Sequence, residues 1–120
     1  MYLADTSIWI DHFRKTDTAL AHLLSRRNIL LHPFVLGELA LGYVPLDQMI
    51  DDFRDLPKAP VAHAEEVLQL IQRNKLSGSG IGYVDAHLLA SCRLVGNTLL
   101  WTRDKRLLAA AGPLSLAADL

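Results

Sequence analysis

Residues 81–95 combine an apolar helical stripe with a carboxylate, a pairing that few folds accommodate. Ile81, Val84, Leu88, Leu89, Cys92 and Val95 recur at the three-and-four spacing that lines one face of an α-helix. Asp85 belongs to the same face, one turn after Ile81 and one turn before Leu88 and Leu89. Burying the stripe draws an ionisable group inward, which costs roughly several kcal/mol unless a charge or hydrogen bonds compensate it. The rest of the chain must therefore supply what Asp85 meets.

A chain of 120 residues is read as one domain with room for a real core and no second unit. Hydrophobic residues make up 51% and charged residues 21%, as in a compact globular protein and unlike a disordered chain. The formal net charge of -1 provides no global basic field, so a polyanion would need a local patch or a metal. One cysteine excludes an internal disulfide and a cysteine-based zinc site, and fits a reducing cytoplasm. The chain shows no signal peptide and no apolar run approaching a membrane span.

The elements alternate. Tyr2-Leu3-Ala4 reads as a buried strand, followed by a turn at Asp5-Thr6-Ser7 and a helix carrying Ile8, Trp9 and Phe13. Asp17 or Thr18 opens a second helix through Leu20, Leu23 and Leu24. Ile29 to His32 is a second strand, stopped by Pro33. Phe34 to Leu41 reads as a short helix ending at Gly42, and here Glu38 falls within the apolar spacing of Phe34, Val35 and Leu41. Pro45 to Leu56 and Ala62 to Asn74 are amphipathic helices. A Gly-Ser loop, Ser77 to Gly82, leads into the helix bearing Asp85. Thr98 to Trp101 is a third strand, Lys105 to Ala111 a helix, and Leu114 to Leu116 a last edge strand. Strands alternating with helices imply a three-layer α/β/α domain with a small central parallel sheet.

The acids then have a place to meet. Asp5 and Asp104 each follow a strand, and the carboxyl ends of parallel strands share one edge, where sites form. Glu38 and Asp85 are expected on core-facing sides of their helices. Clustered carboxylates repel and raise one another's pKa, so they persist as anions only around a cation. Oxygen ligands without cysteine or matching histidines select a hard ion, Mg²⁺ or Mn²⁺, whose retained waters can be made nucleophilic near a phosphodiester. Each acid also has a plainer reading. Asp5 and Asp104 could cap helices, Glu38 could swing to solvent, and Asp85 could pair with an arginine. Four acids so placed for four unrelated reasons would be a coincidence.

Asp5-Thr6-Ser7 after the first strand, Gly37-Glu38-Leu39, Gly82-Tyr83-Val84-Asp85-Ala86 and Leu100-Trp101-Thr102-Arg103-Asp104 together resemble the PIN domain, and within it the VapC toxin ribonucleases of type II toxin–antitoxin pairs. The resemblance spans essentially the whole chain, with the motifs in family order. It implies that Asp5, Glu38, Asp85 and Asp104 form an acidic quartet, with Asp5, Asp85 and Asp104 as metal ligands and Thr6 and Thr102 as hydroxyls near the site. It further implies Mg²⁺- or Mn²⁺-dependent endonuclease action on structured RNA such as tRNA or rRNA, a homodimer, and a cognate VapB-type antitoxin. Many relatives carry another acid shortly after the fourth one, whereas Lys105, Arg106 and Leu107 follow Asp104 here. One-metal and substrate-assisted two-metal mechanisms are therefore both open.

Arg103, Lys105 and Arg106 adjoin Asp104 and are candidates for contacts with RNA phosphates, solvation being the default use of such residues. Trp9 and Trp101 are expected in packing, and the five histidines have no ligand-like spacing. Two rival functions are weighed. A phospho-receiver domain needs adjacent acids after its first strand, which Asp5 lacks. A non-catalytic PIN-like binding module would show no metal-dependent RNA cleavage.

Overall fold

The computed structural model describes residues 1–42 and 53–120. Most of the helix expected from Pro45 to Leu56 lies outside the described residues. The sheet contains β1 (Tyr2–Ala4), β2 (Ile29–Leu30) and β3 (Leu99–Trp101), all parallel and in the order β2-β1-β3. Leu3 stands opposite Leu30 on one side and Leu100 on the other. Leu3 and Ala4 are wholly buried, as befits the central strand of a parallel sheet covered by helices.

The helices begin where the sequence offers a cap. Asp5 caps α1 (Thr6–Arg14), and Asp17 caps α2 (Thr18–Ser25), accepting from the Leu20 backbone N–H at 3.0 Å. α3 (Pro33–Gly42) starts on a proline, which needs no donor at a first helical position. In α4 (Ala64–Arg73) the Glu66 side chain reaches back to the His63 N–H at 3.0 Å. α5 (Tyr83–Val95) leads to β3, and α6 (Lys105–Ala111) runs into a 3₁₀ turn, Gly112–Leu114. None of the described helices is long and apolar enough to cross a membrane.

Two expectations need correction. The apolar stripe of residues 81–95 is not a single face: Ile81 precedes the helix, Val95 is exposed, and every residue from Ala86 to Cys92 is buried. α5 packs against both α4 and β3, and a helix enclosed on several sides is buried all round. The last edge strand is also displaced. Leu114 closes the 3₁₀ turn and Ser115 is left-handed, with φ at 59°. Pairing comes slightly later, where the Leu100 N–H donates to the Leu116 carbonyl at 2.6 Å and the Ala118 N–H to the Leu100 carbonyl at 2.9 Å. Pro113, with its fixed φ, favours the turn over an extended start. On the opposite edge Leu31 is bridged by Lys58.

Topology fixes the site. The chain leaves central β1 for β2 on one side and later crosses to β3 on the other. At the carboxyl end of β1 and β3 the connections therefore diverge and open a crevice. Asp5 and Thr102 are the first residues beyond those two strands.

Candidate active site

The Asp5 N–H continues the ladder by donating to the Trp101 carbonyl at 3.0 Å, so its side chain is fixed from the first atom. Oδ1 accepts from Ser7 Oγ at 2.5 Å and from the Ile8 N–H at 3.3 Å, while Oδ2 accepts from Thr102 Oγ1. Burial pushes this carboxyl above its ordinary pKa, against the opposing pull of the Ser7, Thr102 and Ile8 hydrogen bonds. Thr102 Oγ1 also accepts from the Asp104 N–H at 3.0 Å, which ties the two strand-end acids through one hydroxyl. Asp104 caps α6, its Oδ1 accepting from the Arg106 and Leu107 N–H groups at 2.9 and 3.2 Å.

Asp85 lies in the first turn of α5 and is half-buried, with Oδ2 accepting from the Gly82 N–H at 3.2 Å. It sits at the rim of the core rather than inside it, because the helix begins only two residues earlier. Glu38 is exposed, which corrects the core-facing expectation. α3 buries Val35 and Leu39, and a residue one step before Leu39 is turned by about 100° from that face. Its Oε1 accepts from Thr6 Oγ1 at 2.7 Å, linking α3 to the start of α1.

The four acids feel one another's charge. The Asp85 carboxyl is raised first by burial and further by the negative charges of Asp5, Asp104 and Glu38, while the Gly82 N–H opposes the shift. Four segments far apart in sequence thus contribute charge to one small region. Among the described residues, no three acids stand close enough to enclose an ion by themselves. An all-oxygen donor set of this openness suits a hydrated hard cation, since Mg²⁺ keeps several waters and takes few carboxylates. The plainer readings hold in part as well, because Asp5 and Asp104 do cap helices.

The cations differ from one another. Arg103 pairs with Asp11 at 2.6 Å and with Asp17, and its guanidinium carbon lies 5.8 Å from the centre of the Trp101 ring. The Leu20 N–H and then Arg103 hold the Asp17 carboxyl below its usual range. Arg103 therefore straps the end of β3 to α1 and α2, a use the sequence reading did not anticipate. Arg103→Met is expected to lower stability by about 0.5–1 kcal/mol, since the pair is partly exposed, and a urea melt at low and high salt measures it. Lys105 and Arg106 have no carboxylate partner among the described residues.

Ser7 is the site residue that sequence reasoning missed. The sequence marks it only as part of the Asp5-Thr6-Ser7 turn, yet its hydroxyl donates to Asp5 and accepts from the Arg103 N–H at 3.4 Å. A hydroxyl two residues after an acid at a helix start is the signal that could have found it. Trp9 and Trp101 are buried core residues, as expected.

Known proteins similar to this chain identify its family. The PIN domain family model matches residues 2–113. Ribonuclease VapC32 of Mycobacterium tuberculosis, in strains CDC 1551 / Oshkosh and ATCC 25618 / H37Rv, is 47% identical over 118 residues, covering 98% of this chain and 95% of the relative. Among solved structures, VapBC-1 from nontypeable Haemophilus influenzae aligns with a TM-score of 0.67 at 19% identity, over 97% of this chain and 94% of that one. FitAcB from Neisseria gonorrhoeae aligns with a TM-score of 0.65 at 19% identity, over 93% and 94%. At that identity these two structures bear on the fold alone. With nearly the whole length matched by one family model and by a close relative, and with the parallel sheet and strand-end acids in place, the chain belongs to the PIN-domain family, in its VapC branch.

Proposed function

We propose that this protein is a divalent-metal-dependent endoribonuclease acting as the toxin of a VapBC-type toxin–antitoxin pair. The observation that carries the reading is geometric: Thr102 Oγ1 joins the strand-end acids Asp5 and Asp104 at the crevice beyond β1 and β3, near Asp85, whose carboxyl is raised first by burial and then by the charges of Asp5, Asp104 and Glu38. The name of the 47%-identical relative, Ribonuclease VapC32, supports the reaction class. The VapC name of that relative, together with VapBC-1 among the structures of the same fold, is why a VapB-type antitoxin is taken as the partner.

In this reading Asp5 and Asp85 would hold Mg²⁺ or Mn²⁺ directly, with Asp104 completing the site through the waters the ion retains. When bound, the cation offsets the repulsion among the acids, polarises a phosphate oxygen and acidifies water. The chain's own groups do the positioning. Thr102 and Ser7 immobilise both oxygens of Asp5, and the α6 cap fixes Oδ1 of Asp104. Thr6 holds Oε1 of Glu38, leaving Oε2 to orient water against the scissile phosphodiester. Structured RNA of the tRNA or rRNA class is the substrate, a second copy completes a homodimer, and the cytoplasm is the compartment. The lone buried Cys92, its thiol pushed up to about 12 by burial, is an inert packing residue compatible with that compartment.

Incubating the purified protein with end-labelled total tRNA tests the reading. Cleavage is expected with Mn²⁺ or Mg²⁺, and its loss with EDTA or a co-purified VapB-type antitoxin. Equal cleavage in EDTA, or none with either ion, contradicts it.

A further inference from the structure

The end of α4 and the start of the following loop (Asn74, Leu76, Ser79) and the segment from α6 to the 3₁₀ turn line a cleft of about 410 Å³, within the usual range for a small-molecule site. Its lining changes character from one side to the other. Lys105, Arg106 and Ser79 make a cationic and polar lip, while Ala109, Pro113 and Leu114 make an apolar wall. Arg106 lies across the loop at Gly80. A Cβ there would come within 2.8 Å of Arg106 Cδ, and Gly80 has φ at +87°, so glycine both permits the turn and leaves room for the arginine. In contrast to Arg103, neither Arg106 nor Lys105 is neutralised by a carboxylate among the described residues. The cleft adjoins the acids at the start of α6, where Asp104 caps the turn that carries Lys105 and Arg106, its Oδ1 accepting from the Arg106 N–H at 2.9 Å.

We propose that this cleft is a nucleotide subsite for single-stranded RNA next to the scissile phosphate. Arg106, with Lys105, engages the adjoining phosphate, and the base lies against Ala109, Pro113 and Leu114. The proposal rests on the ribonuclease reading and adds a place for the strand. Charge decides for RNA: two cations at the lip with no carboxylate partner among the described residues suit a phosphate, and the apolar wall accepts any base without reading its edge. Phosphate contact places the strand; the wall gives little sequence preference.

The test uses the full chain in a Glu38→Gln background, which limits cleavage, with Mg²⁺ and fluorescein-labelled decauridylate and decaadenylate as probes. Arg106→Ala is expected to weaken binding about tenfold and to reduce the slope of log affinity against log salt by about 0.7, the value for one phosphate contact on a single strand. Ala109→Trp, which fills the cleft, is expected to weaken binding about tenfold with the slope unchanged. Arg14→Ala, an exposed cation on α1, is the control and leaves both unchanged. Normal binding by both variants overturns the subsite even if the parent protein cleaves tRNA. Loss in the arginine variant alone also overturns it, leaving a surface phosphate contact. Should both variants spare RNA binding and instead abolish binding of a hexaglutamate peptide, the cleft is a protein-docking surface and the proposal falls. If the parent protein cleaves no RNA with either metal while both variants lose binding, the nuclease reading fails and the subsite stands.

Discussion

Asp85→Asn is expected to lower RNA cleavage on the order of 10²–10³-fold while the fold persists, the size of effect seen when one preorganised polar group is removed from a reaction centre. The amide keeps an oxygen for the Gly82 N–H, so the first turn of α5 retains its cap. It removes the charge that burial and three neighbouring acids make costly. The consequence for stability depends on the metal. A carboxyl whose folded pKa is raised contributes stability that is fully present below the unfolded value, 3.8, and is lost as pH rises through the folded value. At neutral pH without metal, parent Asp85 therefore carries a penalty that asparagine lacks. The variant is expected to melt higher than the parent in EDTA and to gain less from Mn²⁺. A variant that cuts RNA at the parental rate, or melts lower in EDTA, contradicts the assignment.

Acid is expected to unfold the protein through His32. This residue lies two positions beyond β2 at 0% exposure, with Nδ1 accepting from the Phe34 N–H at 2.9 Å and Nε2 without a partner among the described residues. The accepted bond fixes the proton on Nε2, so a second proton on Nδ1 would face another donor. Burial, reinforced by the charge of nearby His87, pushes the pKa down to about 4. A depressed histidine has its stabilising effect above the unfolded value of 6.5 and loses it as pH falls through about 4. The drop is on the order of 3 kcal/mol if the whole shift is expressed. His87, also depressed by burial, acts in the same direction, while the raised Asp5 and Asp85 act in the opposite one. Comparing variants isolates the term. His32→Asn keeps an acceptor for the Phe34 N–H, and its urea midpoint is expected to fall much less than the parent's between pH 7.5 and pH 4.5. Parallel falls would show that His32 is not the acid-sensitive group.

The strands were legible in the sequence because short apolar runs closed by Asp5, Pro33 and Thr102 have few other readings. Helix caps were legible for the same local reason, as with Asp17. Facing was harder. Glu38 matches the apolar spacing of α3, yet ten residues of which Glu38 alone is charged carry too little contrast to mark one buried side, and only packing selects Val35 and Leu39. For α5 the stripe was too narrow, since enclosure buries residues on every side and periodicity then says little. The acids' sequence positions implied a meeting at one sheet edge, which the order β2-β1-β3 supplies. What sequence could not give was pairing at the level of atoms. That Thr102 bonds Asp5, that Arg103 belongs to Asp11 and Asp17, and that Arg106 lies over Gly80 all depend on contacts across more than twenty residues of chain.

Manganese anomalous diffraction from crystals soaked at neutral pH tests most directly whether a divalent cation neutralises the converged acids. A peak within ligand distance of Asp5 and Asp85, with Asp104 beside it, is the expected result. Carboxylates in the same crevice with no manganese among them, or a peak elsewhere on the chain, would contradict it.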